Sequence, residues 1–188
     1  MPVRLVRPQR FSDERGWFSE TWHQARLEEQ GIDSVFCQDN HSLSRPVGTL
    51  RGLHFQTPPR AQNKLVRCVA GSIWDVAVDV RAGSPTFGKW AATTLSAENG
   101  DQLFIPVGFA HGFVTLEPDC EVIYKVDDYY APECDGGIAW DDPDLALPWP
   151  LPDNGPILSN KDRTLPRLAS WNSPFAYDGR PLERLPAA

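Results

Sequence analysis

The chain has 188 residues, of which 41% are hydrophobic, so it is long and apolar enough for a globular domain with a sizeable core. Its formal net charge of -7 argues against nucleic acid or an anionic membrane as a partner, although a few local arginines can still bind a small anion. The N-terminus has no apolar signal segment and no stretch approaches the roughly 18 apolar residues of a membrane span, so we expect a cytoplasmic protein without a membrane partner.

One short helix is predicted near the N-terminus, and strands dominate the chain after it. The segment WHQARLEEQG has a helical pattern, and Gly31 is well placed as the first residue beyond the helix. Next, LVRCVA, Gly71 with Ser72, and IWDVAVDV together predict a β-hairpin, and KWAATTLS, AENG and DQLFIP repeat this pattern. One face of IWDVAVDV is fully apolar and consists of Trp74, Val76, Val78 and Val80.

The later strands predict two packed sheets. GFVTL and CEVIYKV follow with a turn at EPD, and turn signals recur every ~8–12 residues, which favours a sandwich or barrel. We therefore expect a mainly β jelly-roll barrel with short peripheral helices, as a single domain over residues 1–188. After about residue 140 the chain becomes a Pro- and Trp-rich loop that is expected to wrap the barrel. The SNKD segment predicts a last helical turn capped by Ser159 or Asn160.

Residues 48–71 have the spacing of a metal-binding barrel motif whose ligands are replaced. In that motif a His-x-His pair follows a glycine and five residues, and a glutamate precedes six residues and a second glycine. Here Gly48, His54 and Gly71 keep these spacings, whereas Gln56 and Lys64 replace the second histidine and the glutamate. Because an ammonium group repels a divalent cation, we expect the pocket to hold no metal.

A second motif of the same barrels lies in GDQLFIPVGFAH and consists of Gly100, Pro106, Gly108 and His111. With both motifs in place, the chain resembles the cupins, jelly-roll barrels that bind a metal through these segments. The resemblance implies that His54 and Lys64 share a pocket in the barrel. One base and one fixed positive charge in such a pocket are suited to proton transfer.

Each candidate residue also has an ordinary structural explanation. LRGLHFQ is predicted to be a strand in which Leu50, Gly52, His54 and Gln56 share one face, and Arg51, Leu53 and Phe55 share the other. A lone histidine is often structural, a lysine at the start of a strand is usually solvated, and Tyr124 in EVIYKV can be a core tyrosine bonded to the backbone. Asp162 is one of many acidic residues, and the sequence alone assigns it no special role.

Ten short strings carry a more specific resemblance. They are DERGWFSE at 13–20, QDNHS at 38–42, LRGLHFQ at 50–56, NKLVR at 63–67, DVAVDVR at 75–81, SPTFGKW at 84–90, IPVGFAHGF at 105–113, YKVDDYYAP at 124–132, WDDP at 140–143 and SNKD at 159–162. In these strings and their order, the chain resembles the dTDP-4-dehydrorhamnose 3,5-epimerase family, cupin enzymes of deoxysugar nucleotide pathways. The resemblance spans nearly the whole chain, but the tail after Trp171 is poorly covered.

This resemblance implies roles for individual positions. His54 matches the catalytic base, Asp162 the carboxylate that pairs with it, and Lys64 the lysine near the ketone oxygen of the sugar. Tyr124 matches the proton donor on the opposite face. The implied substrate contacts are Arg15 and Glu20 from a neighbouring subunit, Gln38, Asn40 and Arg51 at the sugar and diphosphate, and His111, Asp135 and Lys161 as further binding positions. The stretch ECDGG around Asp135 departs from the family's usual spelling.

The resemblance implies a homodimeric enzyme of dTDP-L-rhamnose biosynthesis that inverts C3 and C5 of dTDP-4-dehydro-6-deoxy-D-glucose. It implies no cofactor, and strands within residues 1–20 are expected to exchange with the partner subunit. The alternatives are an epimerase acting at C3 or C5 alone, a 3,4-ketoisomerase on the same scaffold, and a non-catalytic cupin that binds sugar nucleotides. A metal-dependent cupin oxygenase is disfavoured by Gln56 and Lys64.

Overall fold

Two five-stranded antiparallel sheets and one small hairpin contain the strands of residues 1–185, the part of the chain that the computed structural model describes. The strands are β1 (Arg4–Val6), β2 (Arg10–Asp13), β3 (Gly16–Ser19), β4 (Gln38–Ser44), β5 (Leu50–Gln56), β6 (Lys64–Ala70), β7 (Ser72–Asp79), β8 (Trp90–Ser96), β9 (Gln102–Ile105), β10 (Phe109–Thr115), β11 (Cys120–Val126) and β12 (Asp135–Gly137). The first sheet has the order β1-β9-β6-β11-β4, and the second has the order β12-β5-β10-β7-β8. This mainly β jelly-roll architecture confirms the predicted fold class.

From β4 to β12, consecutive strands alternate between the two sheets except for β7 and β8, and this alternation corrects the predicted hairpins. β6 pairs with β9 and β11 in the first sheet, whereas β7 pairs with β8 and β10 in the second. The turn at Gly71 is therefore a corner between sheets, and the hairpin predicted for LVRCVA and IWDVAVDV is wrong. The same holds for KWAATTLS and DQLFIP, since β8 and β9 lie in different sheets. The corner allows Val66 of β6 and Ile73 of β7, both fully buried, to share one interior core.

The apolar face of β7 lies on the outside of the second sheet. Val76, Val78 and Val80 are fully buried there beneath the C-terminal segment, which contributes Leu145 and Phe175 to the same cluster. Full burial of such a side chain stabilises the fold by about 1.5–3 kcal/mol relative to leaving it exposed. Because side chains alternate along a strand, the opposite face of β7 is directed into the barrel.

A single helix, α1 (Gln24–Glu29), is assigned as α-helical in residues 1–185, and it covers the outside of the first sheet. Its Leu27 packs in a cluster with Phe104 of β9. The helix ends as predicted, since Gly31 has φ of 76° and its N–H donates to Glu28 O at 2.8 Å. The N–H of Ile32 donates to Leu27 O at 2.8 Å, which completes a Schellman motif. Within residues 1–185, no helix is long and apolar enough to cross a membrane.

The β2–β3 hairpin is strongly exposed and carries large aromatic side chains. Phe11, Trp17 and Phe18 are 50%, 57% and 66% exposed. The two strands pair with each other in a sheet of their own. Exposed aromatic clusters of this kind are typical of surfaces that contact another molecule.

Candidate active site

A cavity of about 370 Å³ lies between the two sheets and opens at one end of the barrel. Its lining includes Arg51, His54, Lys64, His111, Tyr124, Ser159 and Asp162. The structure therefore brings together residues that the sequence analysis assigned to one pocket from five distant segments. His54 and His111 come from the second sheet, whereas Lys64 and Tyr124 come from the first.

A bulge in β5 places Arg51 and His54 along the same cavity. His111 of β10 pairs with His54, but Phe113 pairs with Arg51, so three steps along β5 oppose two along β10. The prediction that Arg51 and His54 lie on opposite faces of a regular strand is wrong for this reason. A side chain at Gly52 would not fit, because its Cβ would lie 2.6 Å from Gly112 Cα.

His54 and Asp162 form a hydrogen-bonded pair in the cavity wall. His54 Nε2 lies 2.5 Å from Asp162 Oδ1, and Asp162 is 3% exposed. Because Nε2 is held by the carboxylate, Nδ1 is the ring nitrogen that can accept a proton from a ligand. Burial lowers the pKa of His54 below its ordinary value, and the bond to Asp162 offsets only part of this effect. The imidazole is therefore neutral at neutral pH.

Asp162 is held by the turn predicted for SNKD. Ser159 Oγ donates to Asp162 Oδ2 at 2.7 Å and accepts the backbone N–H of Asp162 at 3.2 Å. Ser159 thus caps this turn with its side chain, as predicted, although the segment forms turns and not a helix. Burial acts to raise the pKa of Asp162, but the hydrogen bonds from His54 and Ser159 outweigh it and lower this pKa. The carboxylate therefore stays charged beside the imidazole.

Lys64 and Tyr124 face the His54–Asp162 pair from the first sheet. Lys64 is 9% exposed, and its Nζ donates to the backbone oxygen of His54 at 3.3 Å. Burial lowers the pKa of Lys64 to about 8, although the charges of Asp75 and Asp135 act in the opposite direction. Burial also raises the pKa of Tyr124 above 10, with the charge of Arg51 opposing it. Tyr124 therefore keeps its proton at neutral pH.

A second histidine–carboxylate pair lies behind the cavity. His111 lines the cavity, and its Nε2 lies 2.9 Å from Asp75 Oδ2. Asp75 is fully buried on the inner face of β7. Asp75 was not among the predicted site residues, although an acidic residue inside the apolar string IWDVAV is a signal that could have identified it.

The remaining polar residues expected on this chain do not line the cavity, but they lie close to residues that do. Asn40 of β4 pairs with Tyr124 in register, and Gln38 Nε2 donates to Asn40 Oδ1 at 2.9 Å. Lys161 forms an ion pair with Asp135 of β12, and both charges act on Lys64. Arg51, which does line the cavity, donates through Nε to Ser44 Oγ at 3.1 Å and through Nη2 to Leu43 O at 3.3 Å.

Arg15 and Glu20 lie on the N-terminal hairpin and the segment after it, away from this cavity in the described chain. The side chain of Arg15 is 90% exposed and is paired with Asp13, while Glu20 is paired with Arg26. The structure of one chain therefore does not bring these two predicted substrate contacts to the other site residues.

Gln56, which stands where the metal-binding motif has its second histidine, makes hydrogen bonds that support the structure. Gln56 is buried, and its Nε2 donates to Arg60 O at 2.6 Å while its Oε1 accepts the N–H of Ala131 at 2.8 Å. It thereby braces two loops beside the barrel mouth. In residues 1–185, no group of three His, Cys, Asp or Glu side chains has an arrangement that could hold a metal ion.

The fold and the cavity define the class of protein as a cupin-type jelly roll with a histidine–carboxylate pair, a lysine and a tyrosine in one cavity. Residues 2–170 match the family model described as dTDP-4-dehydrorhamnose 3,5-epimerase. The chain belongs to this family, and is an epimerase.

Known relatives agree with this assignment. A curated dTDP-4-dehydrorhamnose 3,5-epimerase from Sinorhizobium fredii is 50% identical over 175 residues, which cover 93% of this chain and 89% of the relative. The crystal structure of a dTDP-6-deoxy-D-glucose-3,5-epimerase from Legionella pneumophila, in complex with dTDP-4-keto-L-rhamnose, has a TM-score of 0.86 and 46% identity, covering 90% of this chain and 89% of that one. A 3'-monoepimerase from Streptomyces bikiniensis in complex with dTDP-quinovose has a TM-score of 0.82 and 34% identity, covering 89% and 84%.

Proposed function

We propose that the chain converts dTDP-4-dehydro-6-deoxy-D-glucose to dTDP-4-dehydro-6-deoxy-L-mannose by inverting C3 and C5, as a step of dTDP-L-rhamnose biosynthesis. The observation that carries the proposal is the placement of His54 and Tyr124 on opposite sheets, facing one cavity. Inversion of a carbon beside a ketone requires a base on one face and an acid on the other. The family assignment supports the same substrate class.

In the proposed mechanism, Nδ1 of His54 removes the hydrogen from the carbon beside the ketone as a proton. The electron pair of the broken C–H bond moves into an enolate, and the ketone oxygen becomes negative. Lys64 lies in the same cavity as a buried ammonium group and stabilises that oxygen electrostatically. Tyr124 then returns a proton to the opposite face of the carbon. Asp162 keeps the His54 ring oriented and stabilises the imidazolium that forms.

The substrate contacts remain part of this proposal. Arg51 at the cavity rim is suited to the diphosphate, because a guanidinium can bind phosphate oxygens through two parallel N–H bonds. The other proposed contacts are Arg15, Glu20, Gln38, Asn40, His111, Asp135 and Lys161. No cofactor is required by the reaction, since the carbon is neither oxidised nor reduced. The cytoplasmic location remains a prediction.

Hydrogen exchange tests the proposed reaction directly. The protein is incubated with dTDP-4-dehydro-6-deoxy-D-glucose in D2O, and deuterium at C3 and C5 is followed by NMR. Incorporation at both carbons with formation of the L-sugar supports the proposal. Incorporation at C3 alone would instead assign the activity of the 34% identical monoepimerase, and transfer of the keto group to C3 would assign a ketoisomerase. Binding without any incorporation would indicate a non-catalytic binding protein.

The chain is expected to need no metal for activity. Lys64 occupies the position of a carboxylate ligand, and its positive charge opposes binding of a divalent cation beside His54 and His111. Purified protein should therefore contain no stoichiometric transition metal, and EDTA should leave the rate unchanged. Metal at one equivalent per chain, together with activity lost on chelation, would contradict the mechanism.

We also propose a homodimer in which Arg15 and Glu20 complete the cavity of the partner subunit. The support is the exposed hairpin with Trp17 and Phe18, and the position of Arg15 away from its own cavity. A fully active monomer at micromolar concentration would contradict this arrangement.

Subunit mixing is expected to reveal whether Arg15 acts across the dimer. Arg15→Ala and His54→Ala homodimers should each be inactive, but a mixed dimer contains one site with both native residues. After random exchange, about a quarter of the wild-type activity should return, since half of the dimers are mixed and each has one complete site. Arg45→Ala removes a similarly exposed arginine, paired with Asp119, and serves as the control. If the subunits are shown to exchange and no activity returns, Arg15 does not act in the partner's site.

The rate is expected to depend on pH as a bell with limbs assigned to His54 and Lys64. As pH falls below the lowered pKa of His54, the base becomes protonated and activity is lost. As pH rises through about 8, Lys64 loses the ammonium charge and the rate falls again. Tyr124 stays protonated through both limbs, because burial raises its pKa above the ordinary value of a tyrosine. The profile is measured as initial rates at saturating substrate. If the residual rate of Lys64→Met still falls near pH 8, Lys64 is not the source of that limb.

A further inference from the structure

Asp75 is a buried carboxylate with only part of its bonding capacity used. It lies on the inner face of β7 and is 0% exposed. Oδ2 is bonded to His111 Nε2 at 2.9 Å, whereas Oδ1 is buried and has no hydrogen-bond partner within residues 1–185. A buried oxygen without a partner disfavours folding, because it loses its hydrogen bonds to water and forms none in the protein.

The neighbours of Asp75 on the inner face of β7 are apolar, so packing alone does not explain a charged residue at this position. Ile73 and Ala77 lie on the same face of β7, are both fully buried and belong to the interior core. An apolar side chain of similar volume is often as favourable as a buried ionic group, and sometimes more favourable. The carboxylate therefore points to a role in the cavity and not in the core.

Lys64 lines the same cavity as His111, the residue to which Asp75 is bonded. The ammonium is buried and bonded to a backbone oxygen of His54, a partner without a full charge. The anions that favour its charged state are Asp75 and Asp135. Asp135 is paired with Lys161, whose own positive charge acts against Lys64. Unlike Asp135, Asp75 is not paired with a lysine, and its Oδ1 has no hydrogen-bond partner in residues 1–185.

We propose that Asp75 is a positioning residue of the epimerase, which orients His111 through one oxygen and keeps Lys64 in its ammonium form by its charge. This inference rests on the proposed function, since it explains how a buried lysine can keep the positive charge that stabilises the enolate oxygen. Without Asp75, a smaller fraction of Lys64 would carry the ammonium charge beside the enolate oxygen, and His111 would lose the bond that fixes its ring.

Other charged and titratable groups around Lys64 bear on the same equilibrium. They are His54 on β5, His111 on β10, Tyr124 on β11, Asp135 on β12, Asp162 and Lys161 on the segment after β12, and Arg51 at the rim. Protonation of His54 at low pH adds a positive charge and opposes the ammonium of Lys64. The effect of Asp75 is therefore measured above neutral pH, where His54 is neutral.

The test compares the pH profile of kcat in the wild type and in Asp75→Asn. The amide keeps the shape of the side chain but removes its charge. The high-pH limb should move down by about one pH unit, so that the ratio of variant to wild-type rate falls about fivefold from pH 7 to pH 9. Asp75→Leu removes the same charge with an apolar side chain suited to the core, and it provides the measurement if the asparagine variant folds poorly.

Asp79→Asn is the matched control. Asp79 lies on the same face of the same strand and is also 0% exposed, but it binds Arg81, Ser84 and Thr86 at the end of the barrel. Its replacement should lower the thermal unfolding midpoint while leaving the pH of the basic limb unchanged. A ratio for Asp75→Asn that stays constant with pH and follows only the folded fraction would overturn the proposal.

A titration without substrate separates this inference from the proposed reaction. In protein with labelled lysine, NMR follows the ammonium of Lys64, with Lys64→Met used for assignment. The pKa should fall in both Asp75 variants relative to the wild type, and an unchanged value would overturn the inference whatever the activity. If the wild type shows no deuterium incorporation while the Lys64 pKa still responds to Asp75, the proposed function fails and the electrostatic pairing stands.

Discussion

Replacing His54 by alanine is expected to abolish both epimerisation and the exchange of substrate hydrogens with D2O. His54 is the group proposed to remove the hydrogen, and its Nδ1 is the available basic atom of the pair with Asp162. A positioned base contributes about 10²–10⁴-fold to such a reaction, so the rate should fall by at least about 100-fold. NMR in D2O measures exchange and product formation in the same sample.

Two observations make this result specific to catalysis. The control is His23→Ala, which replaces an exposed histidine at the start of α1 that makes no side-chain capping bond, and it should retain the wild-type rate. Thermal unfolding shows whether His54→Ala is folded. Rapid exchange in a folded His54→Ala protein would require another base, and His111 would be the first candidate because it pairs with His54 across the sheet.

The pKa values of the two residues in this pair support a base that is ready at neutral pH. Burial alone would give a weakly basic imidazole, whereas a carboxylate alone would make the imidazole retain its proton. In this cavity burial has the larger effect on His54, and the charged form of Asp162 is favoured by its hydrogen bonds. The neutral base can therefore accept a proton, and the adjacent carboxylate stabilises the resulting charge.

The strand pattern of the sequence predicted the fold class but not the pairing of strands. Alternating apolar residues correctly placed β6 and β7, and the helix ending before Gly31 was also correct. A glycine turn within a sheet and a glycine corner between sheets have the same local sequence requirement, which is a residue that tolerates positive φ. Partner choice depends on long-range contacts, so the predicted hairpin at Gly71 was wrong.

The sequence predicted those features of the site that depend on motif spacing, but not those that depend on irregular strand pairing or long-range contacts. Motif spacing placed His54 and Lys64 in one pocket, and the structure does so too. The bulge that turns Arg51 toward His54 inserts one residue into the pairing of β5, which a two-residue period cannot show. Asp75 was missed because its role depends on β10 and β6, whose proximity is a property of the folded barrel.

In the proposed mechanism, Lys64 takes the place of a cupin metal in stabilising the enolate oxygen. A cupin metal would polarise the ketone oxygen as a divalent cation, and a buried ammonium provides one positive charge in the same region. The lysine is useful only while it is protonated, and burial lowers its pKa to about 8. The nearby carboxylates Asp75 and Asp135 therefore help Lys64 to keep its positive charge.

Tyr124→Phe is expected to separate hydrogen exchange from inversion. The phenylalanine keeps the ring that packs against the interior core and removes the proton proposed for the second face. His54 should still form the enolate, so substrate hydrogens should exchange with D2O. Return of a proton from the opposite face should fail or slow by about 100-fold, on the usual scale for a positioned acid. The ratio of exchange to inversion, measured by NMR, should therefore rise strongly relative to the wild type.

A structural role for Tyr124 makes a different prediction. If its hydroxyl only supports the fold, exchange and inversion should fall together and in proportion to the folded fraction. Tyr177→Phe is a suitable control, because Tyr177 lies beside Arg81 and its ring contact is kept by phenylalanine. Equal losses of exchange and inversion in a stably folded Tyr124→Phe protein would remove Tyr124 as the acid. The donor on that face would then have to be another group, and the assignment of His54 and Tyr124 to opposite faces of the sugar would be withdrawn.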